Sequence, residues 1–533
     1  MNELADFIIV GGGAAGCVLA ARLSADSRCK VVLVEAGDKP SSPFVGIPAG
    51  FAKLFKSKVD WAYQSAPRDH GRSVFIPRGR MLGGSTCMNA QIHQWGRPSD
   101  FDGWAQAGCE GWAWRDVAPL FAAMERMKSG GVGRGSDGPL DVCVNAHAHT
   151  GAHAFVSAVQ ACGLSGGASY NGGSDDGAWI SEITHKDGRR ISAYDAFLAP
   201  AFGRPNLRVL TGALADMLVF EGRRAVGVRL RRGGRVETIR AAQGVVLAAG
   251  AIGTPHLLQR SGVGPASHLQ AHGVTPLIDA PQVGAGLQDH PMAVLRFATH
   301  RRDTLKAAEA PHNLARYIFT RSGPLASNAA EAVAFARSRA GLATPDIELI
   351  FAPLEWREEA LEPPRMHAYS IGAIVAAPQS RGSVMLASPH VETPPQIDLG
   401  LLSDAAGHDR TILIAAIRLA LRVAGQAPLA AHLTGIAAPA PGRISDAELL
   451  AWAESELQTV YHPVGTCRMG DDAQAVVSPR LAVRGADALW IADASVMPAI
   501  PAAHPAATVC VIADRAAAMI VADAERSRSM RAA

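Results

Sequence analysis

The sequence predicts an α/β chain of two domains: a Rossmann-like nucleotide-binding domain, and a substrate domain in which helices flank an antiparallel sheet. Three observations lead to this fold class. The chain begins with a glycine-rich β-turn-α-β pattern, and residues 295–455 alternate short apolar runs with an amphipathic helix. At 533 residues the chain is also too long for one ordinary hydrophobic core.

The opening pattern predicts an adenine dinucleotide site. An apolar run at residues 6–10 is followed by Gly11, Gly13 and Gly16, then by a helical pattern and a second apolar run that ends at Glu35. Gly11 permits the tight turn, Gly13 lets the backbone approach a pyrophosphate, and Gly16 lets the helix lie close to the strand. The helix N-terminus presents free N–H groups to phosphates, and Glu35 can accept hydrogen bonds from ribose hydroxyls. The pattern alone does not distinguish FAD from NAD.

Two further glycine-rich stretches narrow the choice between FAD and NAD. Residues 77–90 contain Gly83-Gly84-Ser85-Thr86, whose main-chain N–H groups can approach an extended ligand. The second stretch, residues 250–264, directly follows an apolar strand. Taken singly, each stretch is as well explained by an ordinary turn or cap. Together with the opening pattern and the Gln-Asp-His motif that ends at His290, they resemble the glucose–methanol–choline (GMC) oxidoreductase family along nearly the whole chain.

This resemblance implies a Rossmann-like FAD-binding domain and a substrate-binding domain, both discontinuous. The FAD-binding domain is expected at residues 1–290, mainly 1–40, 77–110 and 205–290, and is completed by 455–533. The substrate domain is expected at 291–454, with contributions from about 41–76 and 111–204. Within it we predict strands at 347–351, 371–377 and 382–386 and a helix at 410–424; a final helix is expected from 507 to about 523.

The resemblance also implies the residues that bind the cofactor. These are Gly11, Gly13, Ala14, Ala15, Gly16, Glu35, Ala36, Arg80, Gly83, Gly84, Ser85, Asn89, Ala90, Gln91, Ile92, Ala213, Leu214, Ala249, Gly250, Tyr461, Asp493, Ala494, Pro505 and Ala506. Asn89 offers both donors and an acceptor, as the pyrimidine edge of a flavin needs. Some members of the family attach FAD through a histidine just before this asparagine. Met88 occupies that position here and cannot form the bond, so the FAD is expected to be non-covalent.

The predicted catalytic residues are two histidines near the C-terminus. His462 matches the histidine that the family places above the flavin, and His504 falls at the family's second position. A neutral imidazole, with a pKa near 6.5, can take the hydroxyl proton while a hydride leaves the alcohol carbon. A shift in register would instead bring Pro505 or Ala506 beside the flavin. His290 is interpreted as structural.

Composition disfavours several other functions. The net charge is only +3 and there is no run of five Lys or Arg residues, which argues against nucleic-acid binding. The eight cysteines form no C-x-x-C pair, and the N-terminus lacks the charged start of a signal peptide, so a cytoplasmic protein with reduced thiols is expected. Apolar stretches are shorter than the ~20 residues of a membrane span. His147, His149 and His153 have metal-like spacing but no nearby acid or cysteine cluster, so no metal is predicted.

The predicted function is oxidation of a primary alcohol to an aldehyde, with proton abstraction by His462 and hydride transfer to flavin N5. The electron acceptor (oxygen, quinone or another carrier) and the oligomeric state stay open. An uncharged alcohol is favoured over choline because no acidic and aromatic cage is evident. The alternatives are a lyase like the cyanohydrin-cleaving members of the family, a flavin-binding protein without catalysis, and a nicotinamide enzyme.

Overall fold

The computed structural model, which describes residues 4–67, 72–172, 176–442 and 445–532, contains two seven-stranded sheets. Residues 1–3, 68–71, 173–175, 443–444 and 533 of the predicted domain segments lie outside the described residues. One sheet is largely parallel and the other is antiparallel, which confirms the predicted two-domain α/β fold class.

The first sheet holds the N-terminal glycine motif. Its strands, in spatial order, are Leu207–Leu210, Val31–Val34, Ala5–Val10, Arg235–Leu247, Arg224–Arg232 and Ala213–Glu221, and Leu489–Ile491 also pairs with Arg235–Leu247. The parallel strands contain apolar runs that are buried in one core together with helix Ala14–Leu23. The long strand Arg235–Leu247 serves two purposes. Its first half pairs antiparallel with Arg224–Arg232, and its second half joins the parallel sheet.

The second sheet is entirely antiparallel. Its strands, in spatial order, are Leu433–Ala438, Pro291–Thr299, Ala368–Val375, Ile347–Ala352, Ala332–Ala336 and Gly177–Ile180, and Gln458–Thr459 pairs with Pro291–Thr299. Helices Thr150–Ala161 and His408–Ala424 cover one face. Successive side chains of a strand point to opposite faces, so Ala293 packs under these helices while Met292 and Val294 face the other way.

Most of the elements predicted in the substrate segment are confirmed. The strands at 347–351 and 371–377 are Ile347–Ala352 and Ala368–Val375, and the helix at 410–424 is His408–Ala424. The strand at 382–386 forms as Gly382–Met385 but does not join the antiparallel sheet. It pairs with Ala285–Leu287 and Gln396–Asp398 in a separate three-stranded sheet, because hydrophobic pattern identifies a strand without choosing its partner.

Shorter elements fill the space around the two sheets. The remaining helices are Pro43–Gly46, Pro98–Gln106, Trp114–Met124, Gly250–Arg260, Ala266–Ala271, Pro311–Thr320, Ala427–Ala430 and Asp446–Ser455. The remaining strands are Tyr63–Gln64 with Phe75–Ile76, Val263–Gly264 with Ile278–Asp279, and Glu125–Met127 with Leu140–Val144, Glu182–Lys186 and Arg189–Arg190. The eight cysteines are free thiols. Among the described residues, no helix combines the length and apolar character needed to cross a membrane.

The two ends of the chain meet at the first helix. Ala14–Leu23 follows the glycine turn, and the final helix, Ala506–Ala532, packs against it. The predicted final helix is therefore confirmed, with a longer C-terminal end. The first helix lies so close to the first strand that a Cβ at Gly16 would be 1.8 Å from the Gly11 carbonyl oxygen.

This contact predicts a large difference between two glycine substitutions. Gly16→Ala is expected to lower the free energy of unfolding by about 3 kcal/mol, because the backbone must move to admit the methyl group. Gly103→Ala is the matched control: Gly103 also lies within a helix, but its Cβ position has no atom within 4 Å. That substitution is expected to gain about 0.5–1 kcal/mol. Urea unfolding of both variants measures the difference, and equal stabilities would contradict the close contact.

Candidate active site

A cavity of about 670 Å³ lies at the carboxyl ends of the parallel strands. Gly11, Glu35, Ala249 and Asp493 each follow one of these strands and line it. All the residues predicted to bind the cofactor line this cavity except Gly16 and Gly83, and so do both predicted catalytic histidines. The residues that the sequence analysis assigned to one site come from both ends of the chain, and the fold places them around this cavity.

Gly16 and Gly83 contact the glycine turn but do not line the cavity. Gly16 admits the helix to the turn, and the Gly83 N–H donates to the Gly12 carbonyl oxygen at 2.7 Å. Gly83 has φ +91°, a left-handed conformation that favours glycine. At Gly13 a Cβ would have no atom within 4 Å, so this backbone is open to the cavity.

Glu35 holds the same turn through its carboxylate. Oε2 accepts the Gly12 N–H and Oε1 accepts the Gly37 N–H, both at 2.7 Å. Burial raises the pKa of Glu35, and these two N–H groups partly offset that effect. A carboxylate has about four acceptor positions, so two are left for a ligand's hydroxyl groups.

Buried polar groups without partners provide a test of whether FAD fits the cavity. Among the described residues, three buried side-chain atoms have no hydrogen-bond partner: Nε2 and Oε1 of Gln91, and Nε of Arg80. Both side chains line the cavity. Because buried polar groups are nearly always hydrogen-bonded, these atoms indicate a polar ligand. The open backbone at Gly13 and the polar atoms of Gln91 and Arg80 together fit an extended dinucleotide.

Two residues predicted to bind the cofactor also make hydrogen bonds within the protein. Asn89 Oδ1 accepts from Arg190 Nη1 at 2.6 Å, which leaves the Asn89 amide nitrogen for a ligand. Asp493 Oδ2 accepts from the Gly250 N–H at 2.9 Å and from Thr254 Oγ1 at 2.6 Å. Asp493 thereby fastens the C-terminal segment to the start of helix Gly250–Arg260.

The histidines form a cluster of three. The rings of His462 and His504 are 4.5 Å apart between centroids, and His462 Nδ1 is 3.0 Å from His290 Nδ1. Asp289 Oδ1 accepts the backbone N–H groups of His290 and His462, each at 2.8 Å. His290 lies behind His462 rather than in the cavity lining. The sequence identified the motif that contains Asp289 and His290 but not their contact with His462.

Burial controls the charge of this cluster. It lowers the pKa of His462 well below the usual 6.5, and the rings of His504 and His290 lower it further. Burial also lowers the pKa of His290 to about 4. Both imidazoles are therefore neutral near pH 7. Burial raises the pKa of Asp289 to about 6.

Glu348 completes the cluster from the second sheet. Its Oε1 is 3.1 Å from His504 Nε2 and accepts from Gln94 Nε2 at 3.1 Å. Burial acts to raise the pKa of Glu348, but the charge and hydrogen bond of His504 outweigh it and leave that pKa below its usual value. Sequence reasoning missed Glu348, although a carboxylate within the apolar strand Ile347–Ala352 was a usable signal.

One wall of the cavity is apolar. It is formed by the cavity-facing side chains of the second sheet and by neighbouring aromatic residues: Phe51, Phe55, Met292, Val294, Ile350 and Trp356. The sequence could not place Phe351, Trp356 and His367. Trp356 lines the cavity and stacks on Phe51, Phe351 points into the core under the helices, and His367 Nδ1 lies 2.7 Å from Thr304 Oγ1.

The histidines with metal-like spacing lie elsewhere. His149 Nδ1 accepts the Gly151 N–H at 2.9 Å and so caps helix Thr150–Ala161. Its Nε2 is 3.1 Å from Asp303 Oδ1. Within the described ranges no group of three or more His, Cys, Asp or Glu side chains is arranged to hold a metal ion.

Comparison with known proteins gives one family. Family models described as GMC oxidoreductase match residues 5–292 and 378–513. An uncharacterized GMC-type oxidoreductase of Mycobacterium tuberculosis is 41% identical over 528 residues, covering 98% of this chain and 100% of that protein. An alcohol dehydrogenase (acceptor) of Pseudomonas putida is 37% identical, covering 97% and 95%. The crystal structure of pyridoxine 4-oxidase from Mesorbium loti is 33% identical with a TM-score of 0.88, covering 96% and 98%.

The geometry of Glu35 predicts its contribution to cofactor binding. Glu35→Gln places an amide donor against the N–H of Gly12 or Gly37 and distorts the turn. Affinity for FAD is expected to fall about tenfold to hundredfold, the range for hydrogen bonds to a charged group. Titration of the apoprotein followed by flavin fluorescence measures this, with exposed Glu237→Gln as the control. Equal affinities in the two variants would show that Glu35 has no such role.

Proposed function

Because the chain belongs to the GMC oxidoreductase family, whose members use FAD, we propose that it oxidises an uncharged primary alcohol to the aldehyde with His462 as the base. The observation that carries this proposal is the position of His462 in the cavity, neutral and beside a second histidine. Bound FAD supplies the acceptor for the hydride that leaves the alcohol carbon. The residues of this chain hold the cofactor, orient the hydroxyl group and take its proton.

The contact between His462 and His290 restricts the tautomers of the two rings. Of two neutral imidazoles joined through Nδ1, one must donate and the other accept. We assign the proton to His462 Nδ1, with His290 Nδ1 as the acceptor. His462 Nε2 is then unprotonated, and no group in the described part of the chain is bonded to it. That nitrogen can take the hydroxyl proton, and the imidazolium then shares its Nδ1 proton with His290.

His504 is proposed to orient the substrate rather than to compete for the proton. Its Nε2 is held by Glu348, and its backbone N–H donates to Gln94 Oε1 at 2.9 Å. With one ring nitrogen and the backbone of His504 both held, the imidazole can hydrogen-bond a hydroxyl group held between His504 and His462. Pro505 and Ala506 also line the cavity, but they have no side-chain donor or acceptor to do this work.

The residues predicted to bind the cofactor extend this proposal along the cavity. We propose that Gly11, Gly13 and the start of helix Ala14–Leu23 hold the pyrophosphate and that Glu35 holds the ribose. Gln91 and Arg80 are proposed to pair with polar atoms of the cofactor. With Met88 in place of a histidine, the binding is non-covalent.

The apolar wall supports an uncharged substrate. Met292, Val294, Ile350 and Trp356 offer no carboxylate to a cation and no donor to an anion except the Trp356 N–H, which already donates to Gln458 Oε1 at 2.9 Å. An alcohol with an apolar chain or ring would bury that part against this wall, at about 25 cal/mol per Å² of apolar surface.

Replacing the base predicts a specific loss. His462→Ala should retain FAD but reduce it with an alcohol roughly 10²–10⁴-fold more slowly, the usual contribution of a general base. Anaerobic stopped-flow bleaching of the flavin measures this rate, with exposed His153→Ala as the control. Unchanged bleaching in His462→Ala would refute the assignment. Cleavage of a cyanohydrin without bleaching would favour a lyase instead.

The lowered pKa of His462 predicts the pH dependence of the same step. A base with an unshifted pKa would lose half its activity near pH 6.5. Because burial holds the pKa of His462 lower, its neutral form persists below that pH, and the rate of flavin reduction should stay level down to pH 6.5 and fall only at more acid values. A half-maximal rate at pH 6.5 or above would contradict the burial of this imidazole.

A further inference from the structure

One surface helix exposes an unusual amount of apolar side chain. In helix Pro311–Thr320, Leu314, Ile318 and Phe319 have relative exposures of 45%, 57% and 84%. At 3.6 residues per turn the three side chains fall within an arc of about 140° on the side of the helix away from the buried Asn313 and Tyr317, and this exposed arc is called here the apolar face. Patches of this kind on a protein surface mark interaction sites.

The opposite side of this helix is firmly attached to the protein. Asn313 Nδ2 donates to the Ala307 carbonyl oxygen at 2.8 Å. The single O–H of Tyr317 is shared between the carbonyl oxygens of Gly46 and Gly188, which lie 3.2 and 3.0 Å from Oη. Both side chains are buried. The exposure of the apolar face is therefore a fixed property of the folded chain and does not result from a loosely attached segment.

A basic groove of about 620 Å³ runs beside the apolar face. Its charged and titratable lining consists of His300, Arg301, Arg302, Asp303, His312 and Arg316. Its one acid is already neutralised, since Asp303 pairs with Arg301 at 2.7 Å. Among the described residues, no carboxylate lies within ion-pair distance of Arg302 or Arg316. The groove therefore offers two arginines to an anion from outside the protein.

The apolar face is also connected to the candidate active site. Ile47 and Ala49 pack against the cluster that contains Tyr317. They lie at the start of the 3₁₀ helix Pro48–Leu54, whose Phe51 lines the cavity of the candidate active site. One short segment thus separates the cavity that takes the alcohol from the helix that carries the apolar face.

From these observations we propose that the protein docks on anionic phospholipid membranes through this surface. The apolar face enters the boundary between headgroups and acyl chains, and the basic groove receives a headgroup phosphate. An apolar face bordered by arginine and histidine is the composition of helices that lie in a membrane interface. A second copy of the chain is a poorer partner, because a symmetric contact would bring two basic grooves together. The proposal does not depend on the reaction catalysed.

Vesicle sedimentation of the FAD-loaded protein tests this proposal. The protein should bind vesicles of phosphatidylglycerol and phosphatidylethanolamine, bind phosphatidylcholine vesicles weakly, and dissociate as salt is added. Ile318→Ser with Phe319→Ser should weaken partitioning roughly tenfold or more, because both lose apolar area. Arg302→Gln with Arg316→Gln should weaken it about fivefold for each charge removed. Val236→Ser, at a site 60% exposed on the hairpin of the first sheet, is the matched control and should bind like the unaltered protein.

The changed residues are exposed, so each variant should keep its flavin content and its activity on a water-soluble alcohol. Failure of the unaltered protein to bind the anionic vesicles would overturn the proposal. So would binding by the Ile318→Ser/Phe319→Ser variant equal to that of the Val236→Ser control. Light scattering provides the remaining test: a dimer that the serine pair dissociates would identify a second copy as the occupant, and a monomer under all conditions supports the membrane.

Discussion

The candidate site depends on a single buried carboxylate. Asp289 accepts the backbone N–H groups of both His290 and His462 and thereby joins two segments that are far apart in the chain. This arrangement brings the two imidazoles into contact at Nδ1, so Nε2 is the nitrogen of His462 that takes no part in that contact. The same crowding excludes water from the rings and keeps them neutral. Position and charge state of the proposed base therefore have a common origin.

The nucleotide end of the site could be predicted because its signals are local. Gly11, Gly13 and Gly16 each have a steric reason to be glycine, and Glu35 follows the next strand at a readable distance. The histidine end was only partly predictable. His462 and His504 were identified by their motifs, whereas the positions of His290 and Glu348 behind them depend on strand pairing in the second sheet. No local pattern specifies that pairing, and strand Gly382–Met385, which pairs outside the second sheet, shows the same limit.

One face of the second sheet packs against helices, and side chains of the other face line the cavity. Side chains such as Ala293 pack beneath helices Thr150–Ala161 and His408–Ala424, and their neighbours Met292 and Val294 face the cavity. Because the two sets alternate along each strand, the cavity-facing set can change without altering the packing that supports it. The shape of the cavity is therefore set by side chains that the packing of the core does not constrain, which is why the sequence pattern did not identify the substrate.

The late position of several parts of the site has a consequence for biosynthesis. Strand Leu489–Ile491, the Asp493 clasp, His504 and helix Ala506–Ala532 all lie near the C-terminus, yet they complete a structure that begins at the first strand. During translation, the N-terminal glycine turn leaves the ribosome long before the helix that packs against it. A nascent chain consequently cannot complete the flavin site before helix Ala506–Ala532 has been made, and a chain that stops before strand Leu489–Ile491 lacks both Asp493 and His504.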